Sequence, residues 1–306
     1  MNPLHGIALK LASVVFFVGM QALVKSAAHH LPPGELIFFR SLFALPVIVV
    51  WMVATHQLRS GLRVVQARGH AWRGFIGTMS MGLSFAGLAF LPLPEVMAIG
   101  YAAPLLTVIF AALFLGETVR MFRFVCVGIG MLGVLIVLSP RLSGIGTPEE
   151  ALGAGLVLGS AVFAAWAMVT VRSLVTTETT SSIVFWFSVT ATVMSLATLP
   201  FGWVVPTGEE AARLILAGIL GGVGQVLLTS SYRHAPASVV APFDYASMIL
   251  GLAVAWLAFD EVPTATMLAG AALIIGAGIL IIWRERRLGL ERRRARQSMP
   301  GTGGTG

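Results

Sequence analysis

The sequence predicts an all-α integral membrane protein: ten transmembrane helices arranged as two inverted five-helix repeats. Three observations predict this. Apolar residues make up 57% of the 306-residue chain and charged ones 11%, with a mean hydropathy of +0.90; soluble domains carry about 45–50% and about 25%. Apolar runs at about 6–27, 35–54, 73–91, 94–115, 119–138, 151–171, 181–203, 211–231, 237–258 and 264–283 each approach the ~20 residues that span a bilayer as helix. Finally, one stretch occurs twice, at 92–137 and 236–281.

The duplicated stretch aligns without a gap at an offset of 144 residues. Pro92, Val96, Tyr101, Ala102, Leu106, Ala111, Leu113 and Glu117 fall on Pro236, Val240, Tyr245, Ala246, Leu250, Ala255, Leu257 and Glu261. At an offset of 147, Gly6, Phe16, Val24, Lys25, Ser26 and Phe38 fall on Gly153, Phe163, Val171, Arg172, Ser173 and Phe185. The repeats are therefore expected at 1–140 and 151–290, with a basic and then Gly/Thr-rich tail, expected disordered, over 291–306. An odd number of spans per repeat makes the halves enter the membrane from opposite sides, and such internal duplication is the usual build of secondary transporters.

Charge sets the expected orientation. Sixteen of the twenty basic residues, among them Lys10, Arg73, Arg233 and seven arginines after Trp283, fall on the side holding both termini. That bias marks the cytoplasmic side, in a bacterial inner membrane. The +7 net charge thus reads as loop charge, and no nucleic acid is expected. The first apolar run ends in Ser26-Ala27-Ala28, as a cleaved signal does, but its ~20 residues exceed the 7–15 of a signal core. Cys126 is the sole cysteine, within an apolar run; it reads as an inert buried thiol.

Glu35-Leu36-Ile37-Phe38-Phe39-Arg40, the link Leu113-Phe114-Leu115-Gly116-Glu117-Thr118 and the glycine-dotted Gly128-Ile129-Gly130-Met131-Leu132-Gly133 together resemble the EamA-type branch of the drug/metabolite transporter superfamily. The second copy departs from the first: Asp260-Glu261 replaces Gly116-Glu117, and Met248 replaces Pro104. The resemblance implies a basket of helices around a central cavity, with helices five and ten at the periphery. It also implies export of amino acids, related metabolites or cationic drugs.

Ionisable residues inside spans are functional candidates by default. Asp244, two turns into helix nine and just after Pro242, is a candidate coupling or gating carboxylate, or else a structural group paired with Arg233. Arg40, one turn inside helix two, is expected to pair with Glu35 or Glu95, or to clasp a substrate carboxylate. Glu117 and Glu261 are expected as helix-capping anchors. Gln21, Ser80, Ser84, Tyr101, Trp166, Gln225, Thr229 and Tyr245 are the candidate substrate-binding set, since ligands bind near the midplane at the repeat interface. Each also fits an ordinary interhelical hydrogen bond.

Gly128–Gly133 spells G-x-G-x-x-G but lies mid-span, where glycines serve helix packing, so no dinucleotide is expected. The six histidines lie near termini or loops, and no Cys/His spacing suits a metal; neither metal nor cofactor is expected. The resulting expectation is a secondary transporter exporting neutral amino acids, aromatic and apolar ones included, and related metabolites or drugs. The alternatives are another substrate class (sugar, nucleotide-related or cationic drug) and an intramembrane enzyme, for which no paired nucleophile and base is present. The expected partners are a small-molecule substrate and the lipid bilayer, as monomer or dimer.

Overall fold

The computed structural model describes residues 3–115, 121–142, 147–174, 176–234, 243–244 and 246–297. These form helices α1 (Pro3–Ala27), α2 (Pro33–Ala54), the short α3 (Leu58–Leu62), α4 (Ala67–Phe90), α5 (Leu93–Gly100), α6 (Ala102–Leu115) and α7 (Met121–Leu142). After these come α8 (Pro148–Leu174), α9 (Thr180–Leu196), a 3-10 turn at Leu199–Phe201, α10 (Gly208–His234), α11 (Ala246–Phe259) and α12 (Ala265–Gln297). No strand occurs among the described residues.

Six segments of these helices are long and apolar enough to cross a membrane: Leu4–Ala27, Pro33–Ala54, Leu93–Phe114, Pro148–Val171, Gly208–Ser231 and Ala265–Arg284. Phe124–Pro140, Thr180–Leu196 and Ala246–Phe259 are shorter apolar helices. The 24-residue α4 carries Arg68 and Arg73 in its first two turns. In lipid every backbone group must be satisfied internally, which is why apolar runs of this length adopt helix and nothing else.

The helix starts follow from local chemistry. Pro33 opens α2, where its missing N–H costs nothing. At α8 the Thr147 hydroxyl accepts from Glu150 N–H (3.3 Å) while Thr147 N–H donates to the Glu150 carboxylate (3.0 Å), a reciprocal capping box. Thr207 and Glu210 repeat it at α10 (3.3 and 2.8 Å). Two expectations change. The single helix expected over 94–115 is broken at Gly100–Tyr101, and the last helix continues to Gln297, where Arg, Glu and Leu, all strong helix formers, carry it past the expected tail boundary at 291.

The packing is exchanged between the two halves of the chain. As α1 packs on α10, so α8 packs on α4; as α2 packs on α10, so α4 packs on α9; as α6 packs on α8, so α11 packs on α1. At the contact of α7 with α12, Gly133 and Gly270 lie backbone to backbone. A Cβ at Gly133 would stand 2.7 Å from the Gly270 carbonyl, and one at Gly270 2.6 Å from the Gly133 carbonyl. A core of buried side chains, Leu36, Leu88, Leu93, Ile99 and Leu214 among them, fills the space inside these pairs.

Clasps between the halves occupy both ends of the bundle. At one end the Lys25 ammonium donates to the Leu91 carbonyl (2.8 Å) and pairs with Glu261 (2.9 Å), whose other oxygen accepts from Leu93 N–H (2.9 Å). Glu261 therefore caps α5, a helix of the other half. Glu117 lies outside the described residues. At the opposite end Glu178 accepts from Val65 N–H (2.7 Å), Gln66 N–H (2.6 Å) and His70 (3.2 Å), and Ser182 donates to the Arg63 carbonyl (2.9 Å). His70, although close to a loop, is buried here.

Two predictions follow from this packing. Gly133→Val and Gly270→Val each drive a Cβ into a backbone carbonyl and should cost about 1–3 kcal/mol; thermal unfolding in detergent checks it, with Gly128→Ala, which meets nothing within 4 Å, as the neutral control. For Glu178, burial alone would raise the carboxyl pKa, but the Gln66 and Val65 N–H groups and His70 outweigh it and hold it below the ordinary range. The clasp's pH-dependent contribution is thus fully present above the unfolded glutamate value of ~4.3 and lost as pH falls through the lower folded value. Hydrogen exchange at Val65 and Gln66 should accelerate across that acidic window, and Glu178→Gln should remove the acid-dependent step.

Candidate functional site

The break in the middle of one span organises the site. Pro104 sits in the first turn of α6, where its ring would collide with the carbonyl of Gly100 if the helix ran on unbroken. The chain turns at Tyr101 and restarts, leaving two half-helices, α5 and α6. In the other half, the described residues 243–244 form 3-10 backbone, and α11 follows from Ala246.

The two irregular points are tied to each other. The Tyr101 hydroxyl donates to the Asp244 carbonyl (3.0 Å), as does the Ser247 hydroxyl (2.6 Å), and the two hydroxyls also touch. The Asp244 carboxylate lies 2.5 Å from the Lys10 ammonium of α1. Lys10 is only 3% exposed in its side chain, whereas Asp244 is 48% exposed and opens into a cavity. Ionic and hydrogen-bonded ties between side chains are how irregular backbone is tolerated at membrane depth.

That cavity, about 480 Å³, is walled by Val96, Met97, Leu105, Val108, Ile281 and Ile282, with Gln21, Ser84, Tyr101, Asp244 and Ser247 as its polar points. Gln21 lines this cavity, and its Oε1 is buried beside it without a hydrogen-bond partner. A mostly apolar hollow with a few convergent polar groups, in the size range of about 300–1,000 Å³, is the form ligand sites take. Among the described residues no group of His, Cys, Asp or Glu is arranged to hold a metal.

The structure brings Gln21, Ser84, Tyr101 and Asp244 of the expected set to this one cavity. Ser80 instead donates to the Ser160 carbonyl (2.9 Å), a tie between α4 and α8. Trp166 packs edge-on against Trp72 (5.5 Å) and stacks on Phe114 (6.1 Å), away from the cavity wall. Gln225 and Thr229 on α10 do not line the cavity. Tyr245 and Pro242 lie outside the described residues.

Asp244 has Lys10 as an ion-pair partner, since α1 packs directly alongside α11; the side chain of Arg233 lies outside the described residues. Two readings are corrected. Arg40 makes no ion pair with Glu35 or Glu95; Glu35 accepts instead from Val204 N–H (3.2 Å) at the helix start. The last helix is no mere peripheral support, because Gly278, Ile281 and Ile282 of α12 form part of the wall. Lys10, Ser247 and Met97 were missed. Of these, only Lys10 carried a signal: a charge about one turn inside an apolar run.

Comparison with known proteins agrees with this architecture. The EamA-like transporter family matches residues 4–139 and again 151–283. The chain is 32% identical over 274 residues to the pseudopaline exporter CntI of Pseudomonas aeruginosa, covering 89% of this chain and 93% of that one. It is 32% identical to a riboflavin transporter of Rhizobium johnstonii (81% and 79% covered) and 27% identical to an S-adenosylmethionine uptake transporter of Rickettsia bellii (92% and 94% covered). A solved crystal structure at 22% identity superposes with a TM-score of 0.66 over 92% of this chain, and so shares its fold. With two matches that together span nearly the whole sequence, the chain belongs to the EamA-like transporter family and is a multi-pass membrane transporter, not an enzyme.

Proposed function

We propose that this transporter exports neutral amino acids, aromatic and apolar ones included, and related small metabolites or drugs, by alternating access. The two halves, 1–140 and 151–290, act on this reading as inverted repeats that rock about the Tyr101–Asp244 tie. The observation that carries the proposal is the cavity at the helix break: mostly apolar, with a half-exposed carboxylate, an adjacent ammonium and an unpartnered amide oxygen. Such a lining matches an amphipathic zwitterion, with donors for Gln21 and Asp244 and an apolar body for the Val96–Ile282 wall. On this reading the protein sits in a bacterial inner membrane with both termini in the cytoplasm, which the charge bias of the loops supports.

A second reading, transport of a larger metabolite, is favoured by the cavity volume and by the relatives, whose names give pseudopaline, riboflavin and S-adenosylmethionine. Among the relatives one exports and another takes up its ligand, so direction has to be measured.

Counterflow in proteoliposomes with labelled phenylalanine, methionine and threonine tests the proposal. Saturable exchange is expected, with Gln21→Leu raising the half-saturation concentration by about tenfold, the loss of one hydrogen bond to a charged group, and Tyr101→Phe, which removes the tie to the Asp244 carbonyl, lowering the exchange rate. No exchange of any amino acid, together with exchange of a larger metabolite, would select the second reading. If exchange follows an imposed pH gradient and Asp244→Asn abolishes that response, Asp244 is the coupling carboxylate; exchange indifferent to the gradient makes it structural. Independently, Asp244→Asn leaves the Lys10 charge buried without this partner. It should destabilise the protein, and Lys10→Met in the same chain should recover part of the loss, with a coupling of about 1–3 kcal/mol in a double-mutant cycle.

A further inference from the structure

A second polar centre lies apart from the cavity. Arg40, on α2, is 7% exposed, and its Nε is sealed from solvent with no hydrogen-bond partner. Arg73, on α4, has Nε and Nη1 in the same condition. Both guanidinium groups face one ring: Phe187 of α9 lies 6.0 Å from the Arg40 carbon and 4.3 Å from that of Arg73. The two cations are therefore at most about 10 Å apart, and Arg73 feels the charge of Arg40. No described carboxylate pairs with either, and neither Arg40, Arg73 nor Phe187 lines the cavity at the helix break.

The surroundings are shaped to hold these side chains. A Cβ at Gly77 would fall 2.0 Å from Arg73 Nη1 and 2.7 Å from the Phe187 ring, so only glycine leaves Arg73 its place along α4. On the far side a Cβ at Gly221 of α10 would stand 3.3 Å from Arg40 Nε. A lone buried charge in a membrane bundle is costly, and two of the same sign are costlier still. Long arginines relieve such a cost by snorkelling to the interface, yet Arg40 points inward beneath a ring. Guanidinium N–H donors left without partners, as at Nε of Arg40 and at Nε and Nη1 of the half-buried Arg73, are what a protein uses to take up a planar or tetrahedral oxyanion through paired hydrogen bonds.

We propose that Arg40 and Arg73 form a binding site for an oxyanion, a carboxylate or phosphate group, in the core between α2, α4, α9 and α10. The anion completes the charge balance there and bridges α2 and α10 to α4 and α9. Such a group has two sources, a free solute or the headgroup of an anionic lipid.

The test uses the full chain in nanodiscs of phosphatidylcholine, with thermal unfolding followed against sodium phosphate, sodium malonate and, at matched ionic strength, sodium chloride. The expected result is a saturable rise in Tm with phosphate or malonate and none with chloride. Arg40→Gln and Arg73→Gln should abolish it, each being at least as stable as the parent without anion because a buried charge is gone. Arg73→Lys, which keeps the charge but loses the fork, should weaken binding about tenfold. If the source is lipid, nanodiscs containing phosphatidylglycerol raise the Tm of the parent chain but not of the glutamine variants, and added phosphate then does nothing more. A rise that is equal with chloride, that survives in both glutamine variants, or that is absent in the parent with every anion and lipid overturns the proposal.

Discussion

The structure depends on the need to satisfy polar groups inside hydrocarbon without water. A helix broken in mid-membrane leaves carbonyls and N–H groups that cost several kcal/mol each if orphaned. Here the break at Gly100–Tyr101 is met by an irregular stretch of the other half at 243–244. The Asp244 carbonyl takes two hydroxyl donors, and its carboxylate takes the Lys10 ammonium. Pro104 enforces the break, Tyr101 spans it, and the cavity is the space that the interrupted helix leaves. Because the same groups hold the halves together and face the cavity, anything bound there acts directly on the contact between the halves.

Both ends of the bundle are fastened by clasps of similar kind. The Lys25–Glu261–Leu93 cluster and the Glu178–Val65–Gln66–His70 cluster each use one carboxylate to collect backbone N–H groups from the other half. A hydrogen bond nets about 0.5–1.5 kcal/mol, and one to a charged group about 1.5–3. Each clasp is thus a matter of a few kcal/mol, within what differential binding of a solute supplies to shift a two-state equilibrium. On the proposed mechanism, one clasp opens while the other stays closed. On the same mechanism the α7–α12 contact, backbone against backbone at Gly133 and Gly270, moves as a unit.

Much of the architecture was legible in the sequence because membrane helices obey a short list of constraints. Length and apolarity marked the six membrane-length spans, and the paired stretches 92–137 and 236–281 each supply residues to the cavity; the break at Gly100–Tyr101 was not foreseen, since the run over 94–115 read as one helix. The chemistry of Gln21, Ser84, Tyr101 and Asp244 was readable from polarity at depth. What could not be read was pairing. Lys10 and Arg73 were counted as loop charges because sequence gives distance along a helix and not the neighbour it faces; packing puts one on Asp244 and the other beneath Phe187. Trp166, like Gln21, lies near the middle of the first helix of its repeat, yet it turns to Trp72 and Phe114, since depth along a helix does not fix rotation toward the cavity.

The central claim is that the cavity at the helix break is the transport site, reached from each side of the membrane in turn. The most direct measurement is thiol access at Ser84, which lines that cavity, in a Ser84→Cys chain whose native Cys126 is replaced by alanine. A membrane-impermeant thiol reagent is applied to inside-out and right-side-out vesicles, with and without transported solute. The account predicts labelling from both sides, and slowing by solute from both. Labelling from one side only, or labelling that saturating solute leaves unchanged, would contradict it.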